Sequence, residues 1–428
     1  MHHISRVLSG LVASALYLAI TSYACAFEGL ADAKPEEVGI SSARLERIDA
    51  WMQQYVDEGK LAGLSVAIIR HGKVAYVHEA GFSDKEKGTV LTTDTPFRIF
   101  SMTKPITSVA LMTLFEEGKF HLDDPVAKYL PEFKNVKVYA GKNKAGKILL
   151  EEPRRPMTIR HLMTHTAGLG YGMTDHPVDK LLTQDKVFNL RESLSEFTKR
   201  LGTYPLILHP GETWRYSYAV DVQGRLVEVL SGMSFEAYVR NHILDPLKMS
   251  HTHFSLSDEE MAKLGPIYQP SPEHSGIRPM PTPPGFEIFF SPERKLMSGG
   301  GGLASTLGDY LRFTQMLVNS GELQGVRILG PKIVDLMMMD HVPVNTGPRP
   351  AGIDGYGFGL GGAVLRNVAH SQLPGSVGEY TWGGAAGTLF WVDRKESLGV
   401  VLMTQIMPGD SYALRKELKA LVYQAIIK

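Results

Sequence analysis

The two ends of this chain carry the same pattern in opposite order. Two apolar runs, Leu64–Ile69 and Val74–His78, flank the turn residues His71-Gly72-Lys73 and read as a β-hairpin. Near the other end, Leu389–Val392 and Leu398–Thr404 repeat that pattern around Asp393-Arg394-Lys395. A helix is expected ahead of the first hairpin, capped by Ser41 and Ser42, with Leu45, Ile48, Met52 and Tyr55 on one face. A second helix from Ser411 follows the last hairpin, its face lined by Leu414, Leu418, Leu421, Val422 and Ala425. The simplest packing is a single antiparallel sheet built from both ends, with the terminal helices on one face. The fold class is therefore α/β (α+β), a sheet body with an inserted, mostly helical domain. The body is expected at about 27–100 and 318–428, and the insertion at about 101–317. With 428 residues, 43% of them hydrophobic, the chain is long enough to bury a large core.

Within the insertion, the Pro-dense stretch Pro266–Pro284 is expected to be an extended surface loop. Tyr139–Pro156, charged and glycine-bearing, reads as an exposed insertion loop. No internal repeat is visible.

Residues 1–26 read as a secretory signal. Arg6 precedes an apolar run from Leu8 to Ile20, and Ala24-Cys25-Ala26 offers a small-residue cleavage site before Phe27. The run is short for a membrane span, which needs roughly 20 apolar residues. An uncleaved anchor is the rival reading; a lipoprotein through Cys25 is weaker, because Ser22 stands where a lipobox prefers Leu. An exported protein, periplasmic or secreted, is expected, with no stable membrane insertion after cleavage. Cys25 is the single cysteine, so disulfides, thiolate catalysis and Cys-rich zinc sites are ruled out for the mature chain. Lys+Arg 45 balances Asp+Glu 45, which argues against a nucleic-acid or anionic-lipid partner.

Ser101-Met102-Thr103-Lys104 is a Ser-x-x-Lys at the start of an amphipathic helix through Val109, Met112 and Phe115. Pro105 suits the first turn of such a helix, and the spacing sets serine and lysine on one face. A lysine buried beside the hydroxyl would lose its charge by desolvation and take the serine proton. An N-cap serine with a solvated lysine fits the same letters. Tyr216, in Trp214-Arg215-Tyr216-Ser217-Tyr218, is a candidate proton shuttle beside such a pair, or simply a packed tyrosine. Tyr380–Gly387 runs through Trp382-Gly383-Gly384-Ala385, small residues that let a strand edge point an N–H at a developing oxyanion, or a plain glycine turn. Gly357–Gly362 formally satisfies G-x-G-x-x-G, but no helix pattern follows and a dinucleotide site is rejected. His161 and His165 lack the Glu of H-E-x-x-H and read as structural histidines near a helix end. No G-x-S-x-G occurs, so a nucleophile elbow is disfavoured.

Taken in order, Ser101-x-x-Lys104, Tyr216-Ser217 and Trp382-Gly383-Gly384 resemble the serine β-lactamase-like superfamily, most of all the family VIII carboxylesterases, which share the fold of class C β-lactamases and penicillin-binding proteins. Leu122–Val126, His161–Leu169 and Ser298–Leu303 support the resemblance, which covers nearly the whole mature chain. It implies Ser101 as nucleophile, Lys104 and Tyr216 as its proton relay, and the N–H groups of Ser101 and Ala385 as oxyanion donors. It implies no metal and no cofactor. Two departures stand out. Tyr218 occupies the Asn position of the lactamases' Tyr-x-Asn, and Trp382 replaces the Lys of their Lys-Thr-Gly. An indole offers no charge to a substrate carboxylate but gives an apolar wall. Trp382, Gly383, Gly384 and Tyr218 are thus the expected substrate contacts, and a short-chain carboxylic ester the expected substrate. A class C-like lactamase or D-Ala-D-Ala carboxypeptidase is the alternative, and a silent binding protein the reading outside enzymes.

Overall fold

The computed structural model describes residues 27, 29–272, 276–342, 352 and 354–428; the expected signal, residues 1–26, lies outside them. Helix α1 (Ser42–Asp57) leads into strands β1 (Gly63–Arg70), β2 (Lys73–Asp84) and the short β3 (Thr89–Val90). The C-terminal third supplies β4 (Tyr356–Phe358), β5 (Ala363–Leu365), β6 (Tyr380–Gly383), β7 (Leu389–Asp393) and β8 (Leu398–Thr404). Together they form one eight-stranded antiparallel sheet in the order β4-β5-β6-β7-β8-β1-β2-β3. The two ends of the chain meet at its centre, where Ala67 of β1 faces Val401 of β8.

Both faces of the central strands are covered, and alternation decides what covers each. Leu64, Val66 and Ile68 of β1 pack with Trp391, Val400 and Leu402 beneath α1 and the terminal helix α5 (Leu414–Ala425), whose Ile48, Met52, Leu418 and Val422 close that core. The intervening Ala67 and Ile69, with Phe390, Val401 and Met403, point into the larger core on the opposite face. There α4 (Leu307–Val318) lies across β8, β1 and β7. Beyond it stand α2 (Thr103–Glu116) and α3 (Ala219–Ser231), packed on each other. Burying one leucine-sized side chain contributes about 1.5–3 kcal/mol, so the sheet is stabilised from both sides. Among the described residues no helix is long and apolar enough to cross a membrane.

Three local expectations need correction. Ser41 is the N-cap of α1, but its side chain makes no capping bond. Glu36 takes over that task, its carboxylate accepting both the amide (2.8 Å) and the hydroxyl (2.6 Å) of Ser42. Tyr139–Pro156 is not an irregular loop but a hairpin pairing Val138–Lys142 with Ile148–Glu151. Asn143 accepts the amides of Ala145 and Lys147 in its turn, an Asx-type device that a charge-based reading overlooks. In the Pro-dense stretch, Tyr268–Pro270 pairs with Ile277–Pro279, and the main chain of Tyr268 bonds to Gln405 and Met407 just beyond β8. Pro270 and Pro279 sit at strand ends, where a missing N–H costs little.

Candidate active site

Ser101 lies in a single tight turn, Phe100–Met102, that runs straight into α2. The turn is held from both sides: Phe97–Arg98 pairs with Ala304–Ser305, and Tyr310 donates its hydroxyl to the Met102 carbonyl (2.9 Å). Phe100, immediately before Ser101, has φ 40°, a left-handed conformation that a bulky residue adopts only under constraint. Such strain costs about 1–3 kcal/mol and persists where surrounding structure enforces it.

Lys104 is buried at the foot of α2, and its direct partners are oxygens of neutral groups. The amine lies 3.2 Å from Ser101 Oγ, 3.5 Å from the Tyr171 hydroxyl, and donates to the Gly300 carbonyl at 2.5 Å. That carbonyl belongs to Ser298–Leu303, a run laced along α2. Thr107 donates to the Gly299 carbonyl (2.8 Å), and the Leu303 amide donates to Thr103 Oγ1 (3.1 Å). The run needs its glycines because a side chain at Gly299 would sit 2.6 Å from the Val220 carbonyl, and one at Gly300 2.6 Å from Asp221. Asp221, buried in the first turn of α3, accepts the Ser298 hydroxyl (2.5 Å) and the Gly300 amide (3.2 Å). Burial pushes its carboxyl above the usual range, while Ser298, the charge of Lys104 and the Gly300 amide pull the other way.

Tyr216 places its hydroxyl 2.7 Å from Ser101 Oγ, with the Lys104 amine 4.5 Å from its ring centroid. Two contacts hold it. The Arg215 amide donates to the His165 carbonyl (2.7 Å), and the Arg215 guanidinium pairs with buried Asp179 (2.8 Å). Asp179 also accepts the amides of Tyr171 and Gly172, so one carboxylate fixes both tyrosine-bearing segments. Burial alone would raise this carboxyl; Thr174, the two amides and Arg215 together keep it below its ordinary value.

His165 and His161 do not form a pair. His161 Nδ1 accepts the Thr158 amide and caps the helix Ile159–Met163. His165 is buried with its ring 4.7 Å from that of Tyr216 and its Nδ1 3.3 Å from Ser217 Oγ. Burial first, and then the charge of Lys104, hold its pKa well below the usual imidazole value, so it is neutral. Among the described residues no group of three or more His, Cys, Asp or Glu is placed to hold a metal ion.

Trp382, on β6, packs at a tilt of 43° against Tyr216 (centroids 5.5 Å) and edge-on to Phe358 (5.2 Å). It is a buried wall of the site. Gly384 must lack a side chain, since one would lie 2.5 Å from the Ile99 carbonyl and 2.3 Å from Thr388 Oγ1. This close approach brings the Gly384–Gly387 turn, with the Ala385 amide, against the turn that carries Ser101. Gly383 likewise makes room for Arg415, 2.9 Å from where a side chain would start. Tyr218 stands behind: it is buried, immediately precedes α3 and reaches the site through Tyr171, whose ring is 4.7 Å away. The structure therefore gathers Ser101, Lys104, Tyr216 and Trp382 in one place, with Tyr218 one ring removed.

Sequence reasoning passed over Tyr171, His165 as a packing partner of Tyr216, and Asp221. Only the four successive glycines after Ser298 hinted at a close backbone approach there.

The family model for Beta-lactamase matches residues 48–424. Esterase EstB of Burkholderia gladioli is 32% identical over 407 residues, covering 91% of this chain and 98% of that protein. Monacolin J acid methylbutanoyltransferase of Aspergillus terreus is 28% identical over 346 residues, covering 76% of this chain and 80% of that one. The solved structure of EstCE1, described as a hydrolase with promiscuous acyltransferase activity, superposes with a TM-score of 0.76 at 29% identity, covering 89% of this chain and 99% of that one. By a match that runs from α1 through the site into α5, the chain belongs to the Beta-lactamase family, and its esterase relatives mark it as a hydrolase of that fold.

Proposed function

We propose that the chain is a serine esterase that cleaves carboxylic esters, short-chain acyl groups among them, through an acyl group carried on Ser101. The observation that carries this reading is the convergence of the Tyr216 hydroxyl (2.7 Å) and the Lys104 amine (3.2 Å) on Ser101 Oγ. Ser101 Oγ attacks the ester carbonyl while its proton passes to the Tyr216–Lys104 pair. The Ser101 and Ala385 amides receive the oxyanion. Collapse breaks the bond to the alcohol oxygen, which takes the proton from the same pair and leaves as the alcohol. Water then repeats the sequence on the acyl group, releasing the acid and restoring the serine hydroxyl.

Trp382 supports a neutral substrate, since a carboxylate pressed on an uncharged indole would be desolvated without the cation that a lysine there would supply. An alcohol in place of water would give acyl transfer. The similarity to Monacolin J acid methylbutanoyltransferase favours this as a second outcome of the same acyl-enzyme. The test is labelling with a fluorophosphonate: modification of Ser101, and loss of ester turnover in Ser101→Ala, are expected. A label on another serine overturns the assignment. Residues 1–26 are proposed as the export signal, and N-terminal sequencing of exported protein should begin at Phe27.

A further inference from the structure

An unbroken arc of aromatic rings leaves Ser101 on one side and returns to it on the other. Phe100, the residue before Ser101, meets Phe289 edge-on with centroids 6.0 Å apart. Phe289 is stacked on Phe286 (5.7 Å, 9° between planes), and Phe286 on Phe188 (6.2 Å, 18°). Phe188 is in turn stacked on Tyr218 (6.1 Å, 8°). From there Tyr171 leads back to Tyr216 and its hydroxyl on Ser101.

The row is built into the site rather than lying loosely over it. Arg294 is buried, sits 5.0 Å from the Phe289 ring centroid, and donates to the carbonyls of Phe289 and Gly302. Gly302 belongs to the glycine run whose Gly300 carbonyl holds Lys104. The amides of Lys295 and Leu296 bond to the Leu190 carbonyl, tying the Phe188 segment to the same frame. Yet Phe286, in the middle of the row, is 38% exposed, although a phenylalanine ordinarily withdraws from water. Four nearly parallel rings with an open member, joined to the nucleophile at one end through Phe100 and at the other through Tyr171 and Tyr216, make an apolar arm of the site.

We propose that this arc is the subsite for the apolar group of the substrate, so that the esters taken carry an aryl or extended alkyl group on one side of the scissile bond. This rests on the esterase reading and deepens it. The apolar group can belong to the acid or to the alcohol, and two arms of one experiment separate them. Ethyl 3-phenylpropanoate and 3-phenylpropyl acetate are each compared with ethyl acetate by kcat/KM. In one arm the wild-type protein should prefer the phenyl ester by at least about tenfold, the order that one well-buried apolar ring gives. Phe286→Ala and Phe289→Ala should each lower that ratio by about fivefold or more. A wild-type ratio under about twofold in both arms, or ratios unaltered in both variants, overturns the proposal. Because ratios are read, a uniform loss of activity counts against it. The esterase reading fails separately, if ethyl acetate turnover survives in Ser101→Ala.

Discussion

Asp221 and Lys104 are joined through one residue, Gly300, whose amide donates to the carboxylate and whose carbonyl receives the amine. A buried negative charge thus acts on a buried amine without touching it, and fixes the peptide that aims that amine at Ser101. Direct contact would form an ion pair and draw the amine off the serine.

Asp221→Asn tests this arrangement. The amide oxygen of Asn still accepts from Ser298 and Gly300, so the melting temperature should change little. Without the negative field kcat should fall by about tenfold or more, with KM within about threefold, as for groups that act in the reaction rather than in binding. A lowered melting temperature with kcat intact would make Asp221 purely structural.

Lys104 and Tyr216 should behave as one relay. Lys104→Ala and Tyr216→Phe should each cost roughly 10²-fold or more in turnover, the usual contribution of a positioned acid or base. The second change keeps the ring against Trp382 and His165 and removes only the hydroxyl. The double variant should lose far less than the product of the singles. Clean multiplicativity in steady-state kinetics would show that the two act separately.

His165 gives the fold a pH dependence whose sign is set by burial. Its folded pKa lies below the unfolded value, so as pH falls the unfolded chain takes up the proton first. Stability present above about pH 6.5 is then lost as pH falls through the window beneath it, by about 1.4 kcal/mol per pH unit for one such group. His161, held at about 4 mainly by burial, adds to the slope. Asp221 and Asp309, whose carboxyls burial pushes up, act in the opposite sense, losing stability as pH rises through their folded values. Comparison with His165→Asn between pH 7 and 5 isolates the histidine; asparagine tolerates the left-handed backbone (φ 53°) found there. Denaturant unfolding should show a shallower slope in the variant. Equal slopes would mean that His165 charges in place.

Trp382→Lys should move the ratio of kcat/KM toward anionic substrates, measured with p-nitrophenyl butyrate against a cephalosporin. Ester turnover should fall, because the indole that walls Tyr216 is lost, and stability with it, by about 3 kcal/mol or more for a large buried side chain. A wild-type protein that prefers the cephalosporin tenfold would reverse the reading of this position.

The sheet was legible because its evidence is local: Leu64–Ile69 and Leu398–Thr404 are continuous apolar runs, and both terminal helices keep their periodicity. The spacing of Ser101 and Lys104 set them on one side of a helix start but left a solvated lysine open, and only the closed fold buries Lys104 beside Ser101 Oγ. Tyr216 was a candidate by its residue type, but only the resemblance tied it to Ser101, since nothing in its neighbours points at a serine 115 positions earlier. Asp221, Tyr171 and Phe286 were out of reach for a similar reason. Their meaning arises when α2, α3 and the glycine run close on one another, and a sequence read along its length carries no mark of that closure. The Ser41 cap failed because Glu36, in the preceding segment, offered the Ser42 amide a charged acceptor where a neutral hydroxyl was expected.

The meeting of β1 and β8 also sets the order in which this molecule can assemble. Thr404 donates its hydroxyl to the Gly63 carbonyl 341 positions away, so the middle of the sheet cannot close until the last strand has been synthesised. Pairings of such long separation fold slowly. They leave β1, apolar on both faces, waiting with an open edge that favours mispairing. The same seam sets the segment just before α1 against the end of α5, with the Ser41 amide on the Ala425 carbonyl and Ile40 bridged to Ile426. A circular permutant that links Lys428 to Phe27 by a flexible peptide and opens the exposed turn at Asn143–Lys147 would bring β8 and β1 close in sequence, and should refold faster than the natural order.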